Sequence, residues 1–288
     1  MKIGFIGLGS LGTPIAENLL DAHKQLFVFN RTASKAEPLV KKKAVNCNSI
    51  KELASLSDIV FSIVSDDDAL KEITAGTEGI AAHLKKDGIH VAMSTILPAT
   101  AKELSALHKK HHNHYIACPV MGRPEAAREK KLNFLVSGEK KIIDIVKPYL
   151  HQAGAAGAWE FGEESAAANT AKLCTNYMII SAIESMAEGI QLAKKSGIDP
   201  AAWMNMLTLT LFSAPVFINY GRIILEEKYI QASFKLKLGY KDVNLVLSQA
   251  SEVKAKMPVG EVLRKQLAKS MESGKGEYDW AAVADLLK

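Results

Sequence analysis

The sequence predicts an α/β domain with a doubly wound, mainly parallel sheet, followed by an all-α domain. Two observations support this. Short apolar runs alternate with helical patterns as far as about residue 162, and strand patterns nearly disappear after that point. Strands that alternate with helices are typical of a parallel sheet covered on both faces. We therefore expect domains at residues 1–162 and 163–288.

In the first half, each apolar run that predicts a strand is followed by a polar or glycine-containing segment. These runs are Lys2–Gly7, Gln25–Asn30, Asp58–Val64, Ile89–Met93, His114–Cys118 and Phe134–Ser137. The helical patterns between them cover Thr13–His23, Ser49–Ser57, Ala69–Ile73 and Pro98–His111. Ser49 is a candidate cap, and Pro98 suits the first turn of a helix.

In the second half, Ser165–Ser196 forms one long helical pattern that Gly197 ends. Further helices are predicted at Pro200–Leu211, Phe217–Glu227, Leu238–Ala255 and Gly260–Ser273, and Asp279 is the expected cap of a last short helix.

The composition excludes several classes of protein. The chain has 288 residues, 48% of them hydrophobic and 23% charged, which is ordinary for a globular protein. A net charge of +5 with dispersed lysines favours anionic ligands but predicts no nucleic-acid partner. Three cysteines without metal-type spacing are expected to be reduced thiols. The start of the chain does not resemble a signal peptide, and no apolar run is long enough to predict a membrane span, so we expect a cytoplasmic protein.

The N-terminal strand leads into a glycine motif, Gly7-x-Gly9-x-x-Gly12, that opens a helix. In this context the first glycine permits a tight turn, the second lets the backbone approach a pyrophosphate, and the third allows close helix–strand packing. The helix N-terminus then attracts the anion. The motif therefore predicts a Rossmann-type dinucleotide site rather than an ordinary glycine-rich turn.

The end of the second strand indicates which dinucleotide binds. Sites that prefer NAD usually carry a carboxylate there, which would repel a 2′-phosphate. This chain has Asn30, Arg31 and Thr32 instead, with Lys35 close behind. The Arg31 guanidinium can hold a phosphate, and the Asn30 and Thr32 side chains can add neutral hydrogen bonds. We therefore expect NADP to be preferred over NAD.

The long helix carries one lysine among small residues. Lys172 and Asn176 lie four positions apart and share a helix face, with Asn169 nearby. A lysine in a dry site can donate a proton to the alkoxide that hydride transfer creates, and an asparagine can orient it. The spacing alone favours the opposite interpretation, that Lys172 is a surface residue whose stem covers apolar neighbours.

Taken together, these segments resemble the β-hydroxyacid dehydrogenase family, which includes 3-hydroxyisobutyrate dehydrogenases and glyoxylate and succinic semialdehyde reductases. The resemblance covers essentially the whole chain. It rests on GFIGLGSLGTPIAENL, FNRT, MSTILP at 93–98, ACPVMGR at 117–123, AKLCTN at 171–176 and KLGYKDVNLVL at 237–247.

The resemblance implies a role for each matching residue. Lys172 and Asn176 match the catalytic pair. The implied cofactor-binding residues are Gly7, Leu8, Gly9, Ser10, Leu11, Gly12, Asn30, Arg31, Thr32, Val64, Ser65, Asp66, Thr95, Phe234 and Lys241. The implied substrate-binding residues are Ser94, Pro119, Val120, Met121, Gly122, Arg123 and Asp242. Family membership also implies a homodimer or homotetramer.

The substrate loop departs from the family pattern, which usually reads like DAPVSGG. Here Ala117, Met121 and Arg123 replace the aspartate, the serine and the last glycine. Met121 removes a hydroxyl that could bind substrate. Arg123 could contact a substrate anion or could turn outward toward Glu125 or Glu129. A specific 3-hydroxyisobutyrate activity is therefore not expected simply from the resemblance.

We expect an NADP-dependent enzyme that interconverts a small aldehyde or keto acid with its hydroxy acid, with Lys172 as general acid and base. The alternatives are an imine reductase and a non-catalytic NADP-binding scaffold. We expect no metal site, since the histidines of HHNHY at 111–115 would not converge on one ion. Cys118 and Cys174 are interpreted as small apolar fillers.

Overall fold

The computed structural model describes all 288 residues. The chain divides into two compact units, residues 1–172 and residues 173–288. The division falls within a long helix, whereas the sequence places the domain boundary after residue 162. No helix is both long and apolar enough to cross a membrane.

A parallel sheet of six strands forms the centre of the first unit. The strand order is β3-β2-β1-β4-β5-β6. All five neighbouring pairs are parallel. The strands are β1 (Ile3–Ile6), β2 (Phe27–Phe29), β3 (Val45–Asn46), β4 (Ile59–Ser62), β5 (Ile89–Ala92) and β6 (His114–Ala117). The order reverses at β1, as in a doubly wound sheet, and this confirms the predicted α/β class.

Helices cover this sheet and bury its apolar side chains. They are α1 (Gly12–His23), α2 (Glu37–Lys41), α3 (Ile50–Leu56), α4 (Asp67–Thr74), α5 (Ile80–His83), α6 (Pro98–Lys110), α7 (Pro124–Arg128) and α8 (Lys140–Gln152). Ser49 caps α3 by accepting a hydrogen bond from the Glu52 N–H, as predicted. Helix α8 was not predicted, because Pro148 lies inside it and proline usually ends a helical pattern.

A second, smaller sheet follows in the order β7-β8-β9, formed by β7 (Val120–Met121), β8 (Leu132–Val136) and β9 (Ala155–Glu160). Strands β7 and β8 are antiparallel, and β8 and β9 are parallel. The sequence predicted only the middle strand. Strand β9 reads AAGAWE and is mostly exposed or half-buried, so it lacks the apolar run that marked the others.

Four buried side chains form a hydrogen-bonded row through the first unit. Ser62 Oγ lies 2.7 Å from His90 Nε2, His90 Nδ1 lies 3.0 Å from His108 Nε2, and His108 Nδ1 lies 2.6 Å from Asn113 Oδ1. The Asn113 amide donates to the Ala81 and Leu84 carbonyls, so its oxygen must accept from His108. Each histidine is then neutral with its proton on Nδ1. Burial lowers the pKa of His108 to about 4.

The second unit is helical, as predicted. It contains the larger part of α9 (Ala167–Lys195), followed by α10 (Pro200–Leu209), α11 (Pro215–Leu225), α12 (Leu236–Glu252) and α13 (Pro258–Glu272). The last element, Trp280–Leu287, is a 3₁₀ helix in which Asp279 accepts from the Ala281 N–H. A core that includes Ile183, Val243, Leu267 and Trp280 joins these helices.

Candidate active site

The glycine loop lies between β1 and α1, and close packing requires two of its glycines. Gly7 has φ +99°, and a Cβ there would lie 2.0 Å from the Ile63 carbonyl oxygen. A Cβ on Gly12 would lie 2.0 Å from the Gly7 carbonyl oxygen. These contacts bring the start of α1 against the ends of β1 and β4.

Gly9 differs from its neighbours, because a Cβ there would meet nothing within 4 Å. The packing of the protein therefore does not require glycine at this position, but a ligand that approaches the backbone would. Ser10 beside it is exposed. Helix α1 begins without a side-chain cap or an acidic residue in its first turn, so its N–H groups suit an anion. The loop fits a dinucleotide pyrophosphate.

Asn30 joins this loop to the end of β2. Its Oδ1 accepts a hydrogen bond of 2.8 Å from the Leu8 N–H, and its Nδ2 donates one of 2.9 Å to the Thr32 carbonyl. The amide thus holds the shape of both loops, and Nδ2 carries a second N–H that could donate to a ribose phosphate. The Leu8 side chain is buried in the core. Arg31 and Thr32 are exposed and can also meet a 2′-phosphate.

The loop after β4 is tied to the loop after β5. The Val64 N–H donates to Ser94 Oγ at 2.8 Å, and Ser94 is buried. Asp66 caps α4 by accepting from the Ala69 N–H, and its other oxygen accepts from Ser65 Oγ. Ser94 was expected to touch substrate, and the structure gives it a part in holding Val64. Thr95, the next residue, is half-buried.

The segment after β6 contains the predicted substrate loop. Val120 and Met121 pair with Phe134 and Asn133 of β8, and the Leu135 N–H donates to the Pro119 carbonyl. Gly122 has φ +138° and is exposed. Arg123 is half-buried and directly precedes α7. The loop is therefore fixed by strand pairing up to Met121.

Ser137, at the end of β8, anchors the start of the long helix. Its Oγ donates to the Ser165 carbonyl at 3.1 Å and accepts from the Ala168 N–H at 3.0 Å. Sequence reasoning missed this residue, since an isolated serine after a strand carries no distinctive signal. The anchor places Ala168 and Ala171 against a core cluster that includes Leu135.

Lys172 is buried in this arrangement, with only 7% of its surface exposed. Its Nζ lies 3.1 Å from Sδ of Met121. The interpretation of Lys172 as a surface residue is therefore wrong. Cys174, two residues later, is exposed, so its interpretation as an apolar filler is also wrong, whereas Cys118 is buried.

A second polar group lies in the helical unit. Asn176, one turn after Lys172 in α9, donates from Nδ2 to Asp242 Oδ2 at 2.6 Å. The other Asp242 oxygen lies 3.1 Å from Lys241 Nζ. Asn176 and Asp242 are both buried. Phe234 stacks edge-on against Trp280, with 4.6 Å between ring centroids. The structure thus brings Asn176, Lys241 and Asp242 together.

Two family models match most of the chain. The family model of the NAD-binding domain of 6-phosphogluconate dehydrogenase matches residues 2–173. The model described as NAD-binding of NADP-dependent 3-hydroxyisobutyrate dehydrogenase matches residues 166–287. The chain belongs to the β-hydroxyacid dehydrogenase family. Membership in this NAD(P)-dependent family implies an oxidoreductase with a nicotinamide cofactor.

Three proteins illustrate how this family member relates to others. The chain is 36% identical over 288 residues to the uncharacterized oxidoreductase YfjR of Bacillus subtilis, covering 100% of both chains. It is 29% identical to glyoxylate/succinic semialdehyde reductase 2 of Arabidopsis thaliana, covering 100% of this chain and 80% of that one. The crystal structure of 3-hydroxyisobutyrate dehydrogenase from Salmonella typhimurium shares the fold, with a TM-score of 0.88 at 21% identity and 99% of each chain covered.

Proposed function

We propose that the protein is an NADP(H)-dependent reductase that interconverts a small aldehyde or keto acid with its hydroxy acid. The observation that carries this proposal is the burial of Lys172 in a family of hydroxyacid dehydrogenases. Burial of a lysine until only 7% of its surface is exposed costs free energy, and a protein that retains such a residue commonly uses it for its function. General acid–base chemistry at a carbonyl oxygen is such a function.

Each part of the protein has a distinct task in this proposal. A nicotinamide cofactor, held by the glycine loop, would supply the hydride for the carbonyl carbon. Lys172 donates a proton to the carbonyl oxygen during reduction and removes it during oxidation. Asn176 donates a hydrogen bond to Asp242 and lies on the same helix face as Lys172. From there it orients the lysine or binds the substrate oxygen. The carboxylate of the substrate would meet the loop at Pro119, Val120, Gly122 and Arg123.

The preference for NADP rests on the exposed Arg31 and Thr32 at the end of β2. No carboxylate follows β2 directly to repel a 2′-phosphate. The substrate class is suggested by the relatives, one of which is named for glyoxylate and succinic semialdehyde. A cytoplasmic location and a homodimer or homotetramer also belong to this proposal.

The test is the rate of NADPH oxidation with glyoxylate, succinic semialdehyde, other small keto acids and a cyclic imine. We expect turnover of at least one acidic aldehyde or keto acid. Lys172→Ala should lower kcat about 10²–10⁴-fold while NADPH binding, followed by its fluorescence, is unchanged. Lys195→Ala, an exposed lysine on the same helix, is the matched control.

Two results would contradict the proposal. Turnover of the imine alone would indicate an imine reductase. Tight NADPH binding with no turnover of any carbonyl would indicate a non-catalytic scaffold.

A further inference from the structure

Met121 holds an unusual position beside the proposed catalytic lysine. Its Sδ lies 3.1 Å from Lys172 Nζ, and the lysine side chain is buried. A thioether is a weak acceptor without charge. A substrate oxygen that develops negative charge is a much stronger acceptor and would displace the sulfur from the ammonium group.

The fold fixes Met121 in this place. The residue pairs with Asn133 of β8, and its side chain packs against the core cluster that contains Leu135 and Ala168. The next residue, Gly122, has φ +138°, and a Cβ there would lie 2.5 Å from Leu132 Cδ2. Strand pairing thus fixes the backbone of the methionine, and packing of its side chain on this cluster favours the position of the sulfur beside Lys172.

This contact limits what can bind beside the lysine. A carbonyl oxygen that accepts a proton from Nζ must lie about 3 Å from it. The same oxygen is then no more than about 6 Å from the methionine sulfur, because the Sδ–Nζ distance is 3.1 Å. The carbon next to the reacting carbonyl is only two bonds from this oxygen, so a group on that carbon can approach the thioether. A hydroxyl group on that carbon would lose its hydrogen bonds to water there, and Met121 would offer it no strong hydrogen-bond partner in return.

We propose that Met121 positions Lys172 and selects substrates by the group on the carbon next to the reacting carbonyl, favouring hydrogen or a methyl group over hydroxyl. The inference rests on the proposed function, since it assumes that Lys172 meets the substrate oxygen. On this inference a single side chain, and not the cofactor site, distinguishes substrates that differ at this carbon.

Three hydroxy acids that differ only at this carbon provide the test: 3-hydroxypropanoate, 3-hydroxy-2-methylpropanoate and 2,3-dihydroxypropanoate. In each oxidation the substrate gives a hydride to NADP⁺ and its hydroxyl proton to Lys172. We expect wild-type kcat/KM to be about 10–200-fold higher for the first two than for the third. Met121→Ser, which supplies a hydroxyl, should reduce this preference at least about tenfold.

Met121→Leu separates positioning from selection. It keeps the size and the apolar character, so the preference should remain. The protonated amine loses its sulfur partner, so the pH profile of kcat should move to lower pH. Met178→Ser, at an exposed methionine on α9, should change neither the preference nor the pH profile.

Equal kcat/KM for all three acids, or an unchanged ratio in Met121→Ser, would overturn the inference. So would a wild-type enzyme that oxidises none of them. If Lys172→Ala remains active, the proposed function itself fails. If Lys172→Ala is inactive and Met121→Ser keeps the wild-type ratio, only the role of Met121 fails.

Discussion

Asn176 donates a 2.6 Å hydrogen bond from Nδ2 to Oδ2 of Asp242, and both side chains are buried. The bond fixes which end of the Asn176 amide faces the carboxylate. Its oxygen is therefore directed elsewhere as an acceptor. Because Lys172 lies one turn earlier on the same helix face, the orientation of this amide matters to the proposed chemistry.

Asp242→Ala should lower kcat about 10²-fold, because a displaced asparagine no longer orients the reacting groups. NADPH affinity should change much less. The measurement is steady-state kinetics together with the NADPH Kd. Glu252→Gln, an exposed carboxylate on the same helix, should behave as wild type. Full activity of Asp242→Ala would show that Asn176 needs no such support.

Gly9→Ala and Gly12→Ala should fail in different ways. A Cβ on Gly9 meets no protein atom within 4 Å, so this variant should keep its Tm but bind NADPH at least about tenfold more weakly, a loss of about 1.4 kcal/mol. A Cβ on Gly12 would lie 2.0 Å from the Gly7 carbonyl oxygen, so this variant should be destabilised by about 1–3 kcal/mol or more. Thermal melts and NADPH titrations measure both effects, and unchanged NADPH affinity in Gly9→Ala would exclude a phosphate at this loop.

Arg31→Ala and Asn30→Ala should separate cofactor choice from loop shape. Loss of a charge-assisted contact of about 1.5–3 kcal/mol should raise the Km for NADPH about 10–100-fold in Arg31→Ala and leave that for NADH nearly unchanged. Asn30 instead hydrogen-bonds to the Leu8 N–H and the Thr32 carbonyl. Its loss should therefore weaken the binding of NADPH and NADH alike. Arg222→Ala, an exposed arginine in the helical unit, is the control. Equal effects of Arg31→Ala on both cofactors would contradict the expected preference for NADP.

Glu184 should make the protein less stable as the pH rises. Burial, and to a smaller extent the nearby Glu188, raises the pKa of Glu184 to about 7 from an ordinary value of 4.5. Below pH 4.5 the carboxyl is neutral in both the folded and the unfolded state, so it does not change the free energy of unfolding. Between pH 4.5 and about 7 the unfolded state ionises more readily, so a penalty of up to about 3 kcal/mol develops and persists at higher pH.

Glu184→Gln should therefore raise the free energy of unfolding at alkaline pH by about 2–3 kcal/mol and have little effect near pH 4.5. Denaturant unfolding at several pH values measures this difference. Glu272→Gln, an exposed carboxylate on α13, should leave the pH dependence unchanged. Identical pH dependence in wild type and Glu184→Gln would show that Glu184 is ionised freely in the folded protein.

Much of the fold could be predicted because its signals are local. Apolar runs marked six of the strands, and glycine spacing marked the loop before α1. Other elements could not be predicted from the sequence, for physical reasons. Helix α8 contains Pro148, and β9 has little apolar character, so neither carries the usual pattern of its class. Each is held in place by packing and pairing with distant segments.

The sequence by itself determined the residue types of the site: the glycines of the loop, the NRT turn, and a lysine and an asparagine four positions apart. Only the tertiary structure decided what these groups contact. It buried Lys172 against Met121, 51 positions away, and aligned Asn176 with Asp242, 66 positions away. It also placed the Asn30 amide where its oxygen accepts from the Leu8 N–H, and it left Cys174 exposed. Helical and strand periodicity reports which residues share a face, but burial depends on which distant segment packs against that face.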